Sequence, residues 1–154
     1  MQASSLSEIK KELNRLSPDE VLELCMRVVK FKKENKELLS YLLFEAQDEQ
    51  AYIHNRKENI DEQFSEINMH NLRITKKNLR KILRNTNKYI RYSGNKQTLA
   101  ELLIYFCKKM KSSGIAIHKS PALQNILEAQ TKKIHAALKT MDEDLQYDYK
   151  KELI

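Results

Sequence analysis

The chain has 154 residues, enough for one domain with a core of its own, and its two Gly and two Pro leave little material for hairpins or glycine-rich phosphate loops. A charged fraction of 32% beside a 41% apolar share, rich in Lys, Glu, Leu and Ile, excludes a disordered chain and points to helices with solvated faces. No window approaches the ~18 uncharged residues of a membrane span. The opening MQASSLSEIKKEL turns charged at once, so the expectation is a cytoplasmic protein without a leader.

In chain order, a first helix is expected over 6–16, with Leu6, Ile9, Leu13 and Leu16 on one side and Ser5 and Glu8 placed for a capping box. Ser17-Pro18-Asp19-Glu20 then combines an N-cap, a first-turn Pro and a capping-box Glu. The second helix runs to about residue 33 with Val21, Leu24, Cys25, Val28 and Val29 at helical spacing. KKENKE reads as a polar joint. LLSYLLFEAQ opens a long third helix whose apolar positions thin to Ile53, Ile60, Phe64 and Ile67, a near seven-residue rhythm.

The fourth helix is expected from Asn71 or Thr75 to about 92, ended by Gly94 in a left-handed conformation. A fifth covers 97–112, with Leu99, Leu102, Leu103, Phe106 and Met110 facing inward and Gly114 closing it. IAIHK is read as an extended connection. Ser120-Pro121 repeats the earlier start signal and opens a last long helix with a stripe from Leu123 to Leu153, Asp142 being the alternative start of a separate one. The fold expectation is therefore a single all-α domain over 1–154. It is a bundle of about five to seven helices with two long antiparallel ones, or alternatively a short α-solenoid of helix pairs.

Residues 17–45, SPDEVLELCMRVVKFKKENKELLSYLLFE, resemble the N-terminal helices of uncharacterised bacterial all-helical domains. The resemblance implies a bacterial, cytosolic, helical protein and carries no activity with it.

The residues of most enzyme classes are missing. Cys25 and Cys107 are far apart and each lies in an apolar run, so both are read as core. His54 with Glu58, and Glu66 with His70, stand at i,i+4 on the polar half of the third helix and are read as solvated pairs rather than metal ligands. No Glu-x-x-His motif is present. The reading is a non-enzymatic protein with no metal, cofactor or small-molecule substrate. Of the aromatics, Tyr41, Phe44, Tyr105 and Phe106 are expected in the core. Tyr89 and Tyr92, among basic residues, are read as covering the core edge, with base stacking the rival role.

Charge is segregated. Residues 1–68 carry 10 basic and 14 acidic side chains, 69–120 carry 13 and one, and 121–154 carry five and six. The centre of the basic block is KKNLRKILRNTNKYIRY, residues 76–92. On a helix, Lys77, Arg80, Arg84, Lys88 and Arg91 fall within roughly 80° of arc. With Lys81, and with Arg73 if the helix begins early enough, they form the candidate binding face. No acid stands at i±3 or i±4 to any of them within the helix, and the like-charge neighbours cost roughly 1–2 kcal/mol before screening. The compensating charge is expected from the acidic helix (Glu45, Asp48, Glu49, Glu58, Asp61, Glu62, Glu66), within the chain or across a homodimer. The leading function is thus an interaction domain binding a protein partner or itself. The alternative is sequence-nonspecific nucleic-acid binding to phosphates through 73–91. A membrane surface is not expected as partner, because the apolar face of this helix is needed for the core.

Overall fold

Capping boxes open the first two helices as expected. Ser5 caps α1 (Leu6–Leu13), its hydroxyl accepting from Glu8 N at 3.3 Å while its amide donates to Glu8 Oε2 at 2.8 Å. Ser17 and Glu20 repeat the arrangement at α2 (Pro18–Phe31), with Pro18 in the first turn where its missing N–H costs nothing. The computed structural model from which these features are read describes residues 1–153. Its described residues form eight α-helices with one π-helical and one 3₁₀ turn, and no strand: the fold is all-α.

The chain gathers into two units, Met1–Phe44 and Glu45–Ile154, where the sequence reading treats 1–154 as one domain. In the first, α2 ends at Lys32, whose extended backbone (φ −141°, ψ 147°) is the joint expected at KKENKE. Asn35 donates its side-chain amide to Val28 O at 2.7 Å, satisfying a carbonyl of the last turn of α2. α3 (Lys33–Ser40) packs on α2 and passes into a π-helical turn at Tyr41–Glu45.

The expected long third helix is broken. After the π turn, Asp48 leaves helical geometry (φ −132°, ψ 80°) and its carboxylate accepts from Ala51 N at 3.0 Å, starting α4 (Glu49–Ser65) afresh. Apolar periodicity runs across this point, but a short acid side chain that can cap the following turn offers the backbone an alternative to continuing.

α5 (Leu72–Ser93) starts at an Asn71 cap and stops at Gly94, whose φ of 67° is left-handed and whose N–H returns to Ile90 O at 2.9 Å. α6 (Lys96–Ser112) is apolar almost all round: Ala100, Leu102, Leu103, Phe106 and Met110 are fully buried. Such a helix belongs in the middle of a core, and α4, α5, α7 and α8 all pack on it. Phe64 of α4 meets Phe106 edge-to-face at 5.7 Å. The IAIHK connection is not extended; Ile117–Lys119 make a 3₁₀ turn, and Ile115 is buried beneath it.

The expected single C-terminal helix is two, α7 (Pro121–Leu138) and α8 (Glu143–Leu153). Thr140 turns its hydroxyl back to Ala137 O at 2.7 Å, and Asp142 O receives Gln146 N at 2.9 Å as the new helix begins. The stripe stays in phase because Ile134, Leu138, Met141, Leu145 and Tyr149 all face the same core.

Candidate functional site

α5 carries the predicted basic face on one uninterrupted helix. Because it begins at Leu72, Arg73 joins the stripe, which from Arg73 to Arg91 extends about 27 Å at ~1.5 Å per residue. Thr75, Leu79, Ile82, Thr86 and Ile90 are buried on the opposite side and fix the rotation of the helix. Arg73, Lys77, Arg80, Lys81, Arg84 and Arg91 are exposed. Lys88 is half-buried, its ammonium 5.1 Å from the centre of the Tyr89 ring.

Two carboxylates of the acidic helix, those of Asp61 and Glu58, are engaged away from that face. Asp61 pairs with Lys109 of α6 at 2.8 Å and accepts from the Tyr105 hydroxyl at 2.7 Å. Burial opposes its ionisation, but these two hydrogen bonds and the Lys109 charge together hold its carboxyl below the ordinary aspartate value. Glu45 lies 4.0 Å from Arg56 of its own segment, and Glu58 is 3.4 Å from His54. Glu49 accepts from the Ser93 hydroxyl and, at 2.5 Å, from Thr98. The charge of Lys57 is met by Glu101 of α6 at 2.7 Å, and Glu101 also accepts from Tyr149 of α8 at 3.0 Å.

At one end the acidic helix does come close. Glu66 and Lys81 line a shared groove of about 90 Å³ with Gln63, Asn78 and Ile82. They form no ion pair there. Among the described residues of this unit, no carboxylate stands within 4.0 Å of a cation of Arg73, Lys77, Arg80, Lys81, Arg84 or Arg91.

The tyrosines beside the stripe are engaged. The guanidinium of Arg56 lies 4.6 Å from the Tyr89 ring centre and 5.3 Å from that of Tyr52, whose hydroxyl donates to Tyr89 O at 2.9 Å. Tyr89 and Tyr92 meet edge-to-face at 6.2 Å, both half-buried. Of the other aromatics, Tyr41 and Phe106 are buried as expected and Tyr105 half-buried, but Phe44 is 71% exposed. Burial pushes the Cys107 thiol up to about 11, against the weaker opposing charge of Lys111. Cys25, expected in the core, is only half-buried.

The i,i+4 pairs divide. His54 and Glu58 keep helical register with both side chains exposed; Glu66 and His70 do not, because α4 ends at Ser65. Among the described residues no group of three His, Cys, Asp or Glu could hold a metal ion. No described helix is long and apolar enough to cross a membrane.

Sequence reasoning missed a second surface. Of the 18 exposed large apolar side chains among the described residues, 14 lie in Met1–Phe44, among them Leu6, Leu22, Val28, Phe31, Leu42 and Leu43. Tyr41 is the one buried side chain of that unit. The available signal was size: three short helices in 44 residues offer little interior.

No protein-family model matches the chain, and neither a curated protein nor a solved structure does.

Proposed function

We propose that the protein is a non-enzymatic helical interaction module that takes a protein partner on the apolar face of residues 6–44, a second copy of the chain being the first such partner. One observation carries the reading: among the described residues, the smaller unit holds 14 of the 18 exposed large apolar side chains. Exposed large apolar side chains concentrated in one small unit point to an association site. Fully burying an exposed side chain of this size gains ~1.5–3 kcal/mol, and those already partly covered gain in proportion to the area still exposed. The resemblance of 17–45 to bacterial helical domains adds a bacterial, cytoplasmic setting.

With this reading goes a bundle architecture, its long helices antiparallel, in preference to a solenoid. Packing of α4, α5, α7 and α8 on one central α6 supports the bundle, since a solenoid stacks each repeat only on its neighbours.

Sedimentation velocity over a concentration series tests the proposal. The wild-type chain is expected to self-associate reversibly, and Val28→Asp or Leu42→Asp, both at exposed positions, to shift it to monomer without loss of helical circular dichroism. A strict monomer at the highest soluble concentration removes the homotypic partner.

A further inference from the structure

We infer that the exposed basic face of α5 is a docking surface for the phosphate backbone of double-stranded nucleic acid, contacted without base readout. This goes beyond the protein-binding face of residues 6–44 and rests on different residues.

The first support is the missing counter-charge. α5 carries eight Lys and Arg and no acid, and the six exposed ones have no carboxylate partner among the described residues of the unit. Four of the six are arginines, Arg73, Arg80, Arg84 and Arg91, whose planar fork suits phosphate oxygens. Of the nearby acidic helix, Asp61 is directed to Lys109 of α6 and Glu58 to His54 of its own helix. The repulsion along the stripe is therefore left for an external polyanion to relieve. The smaller unit is a poorer match, because its eight basic and seven acidic side chains give it no net negative charge.

Geometry selects the class of polyanion. Membrane-surface helices sink an apolar face into the lipid boundary. Between Thr75 and Arg91, however, the large aliphatic side chains of α5 face the core: Leu79, Ile82 and Ile90 are buried and Leu83 is half-buried. Only Leu72 and Ile74, in the first turn, are exposed. Single-strand binders combine a basic track with open aromatic platforms. Here Tyr89 already has Arg56 and Lys88 over its ring and Tyr92 against it. What remains is a row of cations about 27 Å long on one uninterrupted helix whose opposite face is buried. A duplex offers a matching array, with one phosphate charge per ~1.7 Å of axis on two strands.

The test is fluorescence anisotropy of a labelled duplex of arbitrary sequence. Binding is expected at ~50 mM salt and should weaken roughly a thousandfold by ~200 mM, the dependence of about six phosphate contacts. Arg80→Gln/Arg84→Gln should lower the salt slope by about two, and Arg80→Glu/Arg84→Glu should abolish binding with circular dichroism unchanged. Lys132→Gln/Lys133→Gln, exposed on α7, should bind like wild type. Val28→Asp should also bind like wild type, which separates this proposal from self-association. No binding at ~50 mM salt, or wild-type binding by the Arg80→Glu/Arg84→Glu chain, overturns it. So does equal or tighter binding to polyglutamate or to anionic vesicles, which would make an acidic protein or a lipid surface the occupant.

Discussion

Residues 18–31 and residues 72–93 are both amphipathic helices with apolar side chains every third or fourth position, yet the two faces end in opposite environments. In α2, Leu24 and Val28 are 43% and 59% exposed; in α5, Leu79 is fully buried and Ile82 nearly so. The difference lies in what surrounds each helix. α5 lies against α6, which is apolar on nearly every side and can cover several helices at once. α2 packs on α3, a helix of eight residues, four of them charged. A periodic apolar stripe therefore declares a face to be covered, and the neighbours decide whether the chain itself covers it.

The sharpest way to break this contrast is a pair of truncations. Phe106→Ala should destabilise the larger unit by ~3–5 kcal/mol in denaturant unfolding, since a fully buried ring and its contact with Phe64 are lost. Phe31→Ala, at a 78% exposed position, should stay within ~0.5 kcal/mol at low protein concentration while weakening self-association. Comparable costs for the two would mean that the smaller unit has an interior of its own.

A smaller effect tests the polar frame around α6. Glu101→Ala removes the acceptor for Lys57 and Tyr149 and should cost ~1–3 kcal/mol. Burial first, and then the charge and hydrogen bond of Glu101 against the lowering contact of Gln97, leave the Tyr149 phenol pushed up to about 12. Burial and Asp61 do the same for Tyr105, also to about 12. The folded chain thus holds phenolic protons that the unfolded chain releases near 10. The stability they contribute is complete below that pH and is lost as pH rises toward about 12. Tyrosinate absorbance during alkaline titration should show Tyr105 and Tyr149 among the lagging groups, and in Glu101→Ala the Tyr149 transition should move part of the way down.

The least costly comparison is chemical. Cys25, half-buried in the smaller unit, should alkylate in the native protein. Cys107, 3% exposed with its thiol pushed up to about 11, should react only on unfolding. Mass spectrometry of a timed labelling would read the order, and equal rates would contradict the difference in burial.

Sequence alone determined what depends on neighbours three or four residues away. The capping boxes at Ser5 and Ser17, the Gly94 stop, the single basic face of α5 and the inward set of α6 all follow from local hydrogen bonding and helical period. Those interactions are complete within a turn or two of chain. The broken third helix was less legible, because Asp48 competes with a continuing apolar rhythm and either outcome satisfies the pattern. Only the tertiary structure decided which stripes are covered, why Phe106 is buried and Phe44 is not, and where the carboxylates of α4 point. Asp61 could have met the cations of α5 by composition. Its choice of Lys109 is set by how helices distant in sequence pack, and among the described residues of the unit Arg73, Lys77, Arg80, Lys81, Arg84 and Arg91 are left without a carboxylate partner.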